Sequence, residues 1–265
     1  SLGPDNSGRA LKRIFRPGFL KKASRTSIVS NYGFRTLLNG ILWPGPLIGK
    51  RHKELIRSVA NKALDVGIHC YDHTKWQDGV TKMRPQKILA EFQKAVLLFK
   101  NIFGSSAKGA GAPGWQANGK TFLAYDQAKL TYGSDTRGRF PFIPKVNSQL
   151  FKTLQIPTTL PTLDELLGRP EYPLEKLTGH YLSLLDTKHP NVMTVHAEIE
   201  GMKYLDWFRS FLLELKKQNI QFMTLLELAN KTLEKPDNIP ICEVQQGEVE
   251  GRSGKLAMQD IHCHL

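Results

Sequence analysis

Val66-Gly67-Ile68-His69-Cys70-Tyr71-Asp72-His73 runs from a short apolar segment straight into two histidines four residues apart. Such a segment reads as a buried strand, and what flanks it reads as helix. Upstream, 52–65 (HKELIRSVANKALD) is helix-like. Downstream, Ile88, Leu89, Phe92, Val96, Phe99 and Phe103 recur at three and four, which predicts an amphipathic helix over 85–103. A Gly/Ala/Ser loop follows at 104–114, then a helix near 117–129. Leu130-Thr131-Tyr132, Leu154-Gln155-Ile156 and Val192-Met193-Thr194-Val195 read as further buried strands. Leu205, Phe208, Leu212 and Leu215 mark a helix over 203–218. Ile220-Gln221-Phe222 reads as one more strand, and 224–233 as one more helix. Strands alternating with helices predict an α/β fold on a parallel sheet, open or closed. Beyond residue 235 the chain turns polar and Gly-rich and reads as a tail.

The 265 residues suffice for a full hydrophobic core, and no stretch approaches the run of about 18 apolar residues that a membrane-spanning helix needs. The net charge of +13 is uneven. Residues 1–50 hold nine basic side chains (Arg9, Lys12, Arg13, Arg16, Lys21, Lys22, Arg25, Arg35 and Lys50) against Asp5 alone, which is +8. Leu11, Ile14 and Phe15 fall on one face of a helix at 7–16, opposite the basic residues. With Phe19, Leu20 and 37–43 they read as an element lying on an anionic bilayer, or as surface helices of a basic protein. No nucleic-acid-binding motif accompanies the charge. Three well-separated cysteines (Cys70, Cys242, Cys263) suit a reducing compartment better than a disulfide framework, and a cytosolic address follows. The sequence opens at Ser1 with neither an initiator Met nor an apolar signal segment, so the expectation is no export signal here and a true front end that lies outside the sequence.

His69 and His73 could converge on one metal from a strand's end, with Asp72 orienting one ring; a chance pair among eight histidines is the alternative. His196 follows a predicted strand. If that strand continues, Glu198 and Glu200 share its face and suit it to general acid work; the alternative is an exposed strand end. Gly109-Ala110-Gly111-Ala112-Pro113-Gly114 matches G-x-G-x-x-G, with Asp135 at 21 residues' distance, but no β-branched run precedes it. It reads as a flexible loop able to approach a ligand, with a nucleotide-dependent oxidoreductase as a minor alternative. Asp135 and Arg137 form either a surface ion pair or a buried arginine holding a catalytic carboxylate. His262-Cys263-His264 is assigned no role.

Together the stretches GPDNSGR (3–9), HCYDHTKWQ (69–77), GWQA (114–117), YGSDTRG with PF (132–142), IPTTLPTLDE (156–165) and TVHAEIEG (194–201) resemble the polysaccharide deacetylase (NodB-like) family, and within it the deformylases that act on lipid-linked formamido-arabinose. The resemblance runs in order over nearly the whole chain. It implies a distorted (β/α) barrel of the NodB/polysaccharide deacetylase type at 51–235, with the basic 1–50 stretch as a membrane-contacting region; the compositional tail takes up 236–265. It also implies a divalent metal (zinc, cobalt, manganese or iron) on His69 and His73, with His196 as the general acid. Trp115 falls in the loop that stabilises an oxyanion, and Asp135 and Arg137 in the segment that positions the catalytic base or the sugar phosphate. The implied partners are a lipid-linked sugar phosphate and the cytoplasmic face of a bacterial inner membrane.

The chain departs from the family pattern twice. The family's Asp-x-Asp motif, source of the base and third metal ligand, has no counterpart here, so the expectation is a barrel lacking its N-terminal strand or strands, or a degenerate member, with little catalysis. The second departure is Gln116, where the resembled deformylases carry Arg. A non-catalytic polyanion-binding protein is the remaining alternative.

Overall fold

A computed structural model describes residues 1–10, 36, 38–62 and 65–263. In chain order its elements are α1 (Ile48–Arg51), α2 (Lys53–Ala60), α3 (His73–Gly79), α4 (Pro85–Phe103), β1 (Gly109–Ala110), α5 (Gly119–Gln127), β2 (Tyr132–Gly133), β3 (Ile143–Val146), β4 (Gln149–Leu150), β5 (Leu154–Gln155), α6 (Leu163–Leu166), α7 (Leu174–Ser183), α8 (Leu205–Lys217), α9 (Leu225–Leu233), β6 (Ile241–Gly247) and β7 (Leu256–Gln259).

The long helix α4 follows its sequence signals. Pro85 opens it, where a missing N–H costs nothing, and Gly104 closes it at φ 74°. Its stripe of Ile88, Phe92, Ala95 and Phe99 is buried with Ile68, Cys70, Trp76 and Val80 in one cluster. Removing each large side chain there from water contributes about 2 kcal/mol. Polar caps fix where shorter helices begin: Asn118 and Thr121 exchange bonds at the start of α5, and Thr162 and Glu165 at the start of α6.

Three parallel strands stand in the order β1-β2-β5, and a bridge from Ile68 to Ala110 extends the row to the segment before His69. A second sheet has the order β4-β3-β6-β7. Arg137 joins the two, bridging Thr158 on one side and Met258 on the other. The ends of β1, β2 and β5 therefore come close to the β6–β7 hairpin.

Several expectations are corrected. Residues 192–195 pair with nothing as a strand; the Val192 carbonyl takes the N–H groups of Thr159 and Leu160, and Val195 is exposed. Residues 220–222 are likewise irregular, because the Ile220 N–H turns back to Leu215 O at the end of α8. The 104–114 loop contains β1, whose two residues leave no periodicity to read. The polar segment beyond 235 is not a loose tail: β6 lies parallel to β3, antiparallel to β7, and buries Cys242 and Val244. That hairpin brings Cys242 to Cys263 as a disulfide, against the reading of three unpaired cysteines, and the cysteine argument for a cytosolic address falls with it; a separation of 21 residues hid the pair. Only Cys70 is a free thiol. Most of the predicted basic helix at 7–16 lies outside the described residues.

Candidate active site

His69 continues the extended segment from Ile68, whose N–H and C=O bond Gly109 and Gly111. Cys70 then takes a left-handed turn at φ 52°, and the chain enters α3 with His73 as its first residue. This reversal sets the two imidazoles 5.2 Å apart, centroid to centroid, and inclined at 52°. Asp72 is engaged by the backbone of α3 and by Asn6. Its carboxylate caps α3 by accepting the Lys75 N–H at 3.0 Å and holds Asn6 Nδ2 at 2.7 Å, tying the 3–9 stretch to the histidine turn.

The Gly111 carbonyl lies 2.7 Å from His69 Nδ1. A carbonyl only accepts, so Nδ1 carries the proton and Nε2 keeps its lone pair. The ring is open to solvent at its rim yet crowded by protein, and this desolvation, assisted by His73 and His196, holds its pKa well below the usual histidine value. His69, His73 and His196 thus share one electrostatic neighbourhood.

His196 opens a helical turn, which replaces the expected strand continuation: its N–H donates to Glu200 Oε2 at 2.8 Å. Glu200 is buried, and desolvation raises its pKa. The ring of His196 faces a different acid, Asp164, with Nδ1 3.8 Å from Oδ1. Behind Asp164 stands Glu165, 1% exposed. Glu165 receives Arg137 Nη1 at 2.8 and 3.1 Å and Arg252 Nη1 at 3.2 Å. The two guanidiniums lie over the Trp115 ring, 5.1 and 4.5 Å from its centroid, and the indole N–H donates to Thr158 Oγ1. Arg137 is therefore the buried arginine of the two readings, though the acid it holds is Glu165 and not Asp135.

Asp135 is fully buried. Its Oδ1 accepts the Ala112 N–H at 2.6 Å and the Tyr125 hydroxyl at 2.8 Å. Burial outweighs these bonds and raises its pKa from 3.8 to about 7. Trp115 sits at φ 55° just after Gly114 at φ 61°, in a turn where its own N–H donates to Ala112 O. Gln116 spans from this loop to Lys255 O at 2.7 Å.

Two neutral-capable imidazoles suit the nitrogen donors of a divalent transition-metal site, and His69 has the Nδ1 partner that such ligands ordinarily show. Among the described residues no cluster of three or more His, Cys, Asp or Glu forms a metal site. The chain thus offers His69 and His73 as a two-nitrogen fit.

A probable 4-deoxy-4-formamido-L-arabinose-phosphoundecaprenol deformylase ArnD from Shewanella sediminis is 35% identical over 260 residues, 98% of this chain and 83% of that protein. Its namesake from Wigglesworthia glossinidia brevipalpis is 33% identical over 98% of this chain and 90% of its own length. The chain belongs to the ArnD deformylase family. As a member of the ArnD family it is a hydrolase of amide bonds. A crystal structure described as a polysaccharide deacetylase from Mycobacterium smegmatis superposes with a TM-score of 0.61 at 15% identity, covering 93% of each chain, so the ArnD-like chain has the polysaccharide deacetylase fold that its sequence implies. No protein-family model matches.

The sequence reading missed Asp164, Glu165 and Arg252. The first two end the stretch IPTTLPTLDE, where the Thr162/Glu165 capping pattern was a usable signal. Nothing local marks Arg252, which reaches Glu165 from 87 residues away.

Proposed function

We propose that this chain removes the formyl group from a formamido-arabinose carried on undecaprenyl phosphate, as a step toward aminoarabinose modification of lipid A and polymyxin resistance. The observation that carries the reading is that relatives named for this reaction align over 98% of the chain, while His69, His73 and His196 fall into one neighbourhood. Water's oxygen bonds to the formyl carbon, the C–N bond breaks, and formate and the free amine leave. The chemistry a divalent cation would add at His69 and His73 is Lewis acidity toward water and the formyl oxygen.

His196 is the proton donor in this scheme. Its Nδ1 edge faces Asp164, so Nε2 is the atom that delivers a proton to the departing amine nitrogen. The Arg137–Trp115–Arg252 stack walls the site beside that acid. Both cations are already engaged by Glu165, which suits them to holding the wall and the sugar face more than to capturing a phosphate. Formate release from the lipid-linked substrate by the full-length protein tests the reading; His196→Ala should lose at least about 100-fold in turnover while still binding metal. Unchanged turnover would remove His196 from the role.

We further propose that the protein works at the cytoplasmic face of the inner membrane as a peripheral protein. No helix among the described residues is long and apolar enough to cross a membrane. Ile41, Leu42 and Leu55 are 48, 66 and 65% exposed, and α2 buries none of its residues. Lys50, Arg51 and Arg57 stand among them. Apolar insertion plus attraction to anionic headgroups is the physics of interfacial binding. Leu42→Glu with Leu55→Glu should reduce cosedimentation with anionic vesicles severalfold; equal binding by the variant would exclude this surface.

A further inference from the structure

The peptide unit joining Gly111 to Ala112 is gripped at both ends. Its N–H donates to Asp135 Oδ1 at 2.6 Å, and its C=O accepts from His69 Nδ1 at 2.7 Å. Asp135, the peptide and the imidazole therefore form one continuous hydrogen-bond chain. Hydrogen bonds in such a chain polarise one another: accepting the amide proton raises electron density on the carbonyl oxygen, which then binds the ring N–H more strongly.

Asp135 is placed for this by its surroundings. Tyr125, 1% exposed, donates its hydroxyl to the same Oδ1, and the backbone N–H of Asp135 bonds Gln155 Oε1 at 3.3 Å. The neighbouring Ser134 N–H bonds Ala110 O, so the β1–β2 pairing carries Asp135 directly beneath the loop. Gly133 leaves the room required, since a side chain there would collide with the Asp135 carboxylate and the Gln155 amide. Beyond Gly111 the loop leaves the sheet and passes through left-handed residues at 114 and 115. No regular ladder orients the Gly111–Ala112 plane; Asp135 does. At 0% exposure Asp135 touches no substrate.

We propose that Asp135 is a positioning residue for His69: through the Gly111–Ala112 peptide it fixes the ring's orientation and its Nδ1–H tautomer, so that Nε2 is presented as a lone-pair donor to a divalent cation. The cation part rests on the reading of His69 as a metal ligand, whereas the fixed tautomer belongs to the metal-free protein.

The test uses the metal-free protein labelled with 15N-histidine, at a pH where the ring is neutral. Two-bond 1H–15N spectra should show His69 wholly in the Nδ1–H form, and the Ala112 amide should be protected from hydrogen exchange. Asp135→Ala should give a tautomer mixture and at least about 10-fold faster Ala112 exchange, with zinc affinity falling about 10-fold to 100-fold. Asp135→Asn keeps an Oδ1 acceptor and should restore the tautomer and most of the protection, a rescue that generic core damage would not give. An unchanged tautomer and unchanged exchange in Asp135→Ala overturn the proposal. An Nε2–H ring in the wild-type protein overturns it even if Asp135→Ala fails to fold. Absent formate release beside the expected tautomer behaviour would defeat the deformylase reading and leave this one standing.

Discussion

Glu165→Gln is the substitution that most directly probes how the site is held. Glu165 is 1% exposed and meets Arg137, whose side chain is 9% exposed, and Arg252, at 12%. It also accepts the Thr162 N–H that begins α6. The glutamine is nearly the same shape, so the change removes charge and almost no volume. Arg252 would then lean on Asp164, which lies 4.0 Å from its Nη1 and also faces His196, while Arg137 would be left with the Leu160 carbonyl at 3.0 Å. Breaking a buried pair by neutralising one partner typically costs about 3–5 kcal/mol, because the orphaned charge stays desolvated. For a chain of this size that is a fall in melting temperature of roughly 6–20 °C. Urea and thermal unfolding followed by tryptophan fluorescence measure it directly. A matched control is Glu214→Gln, whose pair with Lys217 is exposed and should cost no more than about 0.5 kcal/mol. Adding Arg252→Met to Glu165→Gln removes one orphaned cation, so the double variant should recover at least about 1 kcal/mol relative to additivity. A Glu165→Gln protein within about 1 kcal/mol of wild type, with an additive cycle, would refute the claim that this acid organises the arginine stack.

Reducing the Cys242–Cys263 bond, which closes a 21-residue separation, should lower unfolding free energy by about 3 kcal/mol; equal urea midpoints with and without reductant would show that the bond does not form. The Asp135 carboxyl, raised by burial from 3.8 to about 7, keeps its proton in the folded protein at pH values where the unfolded chain has lost it. Its stabilising contribution is complete below about pH 4 and disappears as pH climbs through about 7, so Asp135→Asn should flatten the pH dependence of stability across that window, and an unaltered slope would contradict the assignment.

What was legible in the sequence was whatever is written locally. The α4 stripe and its Pro and Gly ends gave the helix within its true bounds, and the four-residue spacing of His69 and His73 gave a pair whose rings do approach. Strands of two residues, such as β1 and β2, have too few positions for an alternation to appear. Val192–Val195 failed for the opposite reason: a run rich in β-branched residues satisfies strand propensity, but the Val192 carbonyl takes the Thr159 and Leu160 N–H groups without a ladder forming, and the chain coils into the turn that holds His196. Distance along the chain hid the rest. Arg252 arrives on a hairpin whose polar, glycine-rich residues look like a tail until β6 pairs with β3. Its role is set by Trp115 and Glu165, neither of which is near it in sequence.

The loop from Gly109 to Gln116 explains why a segment with so little side-chain substance matters so much. One end pairs with β2 and Ile68 and so belongs to the sheet. Its Gly111–Ala112 peptide joins Asp135 to His69, three residues later its indole lies against two arginines, and Gln116 reaches both the β6–β7 hairpin and, through its carbonyl, the Trp76 indole of α3. The histidine pair and the acid–arginine cluster therefore have no independent placement: a rotation of the loop that improves one disturbs the other. Gly114 makes the tight passage between them possible, because a side chain there would meet Gln77 in a left-handed conformation that costs an L-residue about 1–2 kcal/mol. Of the glycines that mimic a nucleotide fingerprint, Gly109 is thus required by its close approach to the Tyr132 ring and Gly114 by its left-handed turn, and the group this loop positions is an imidazole.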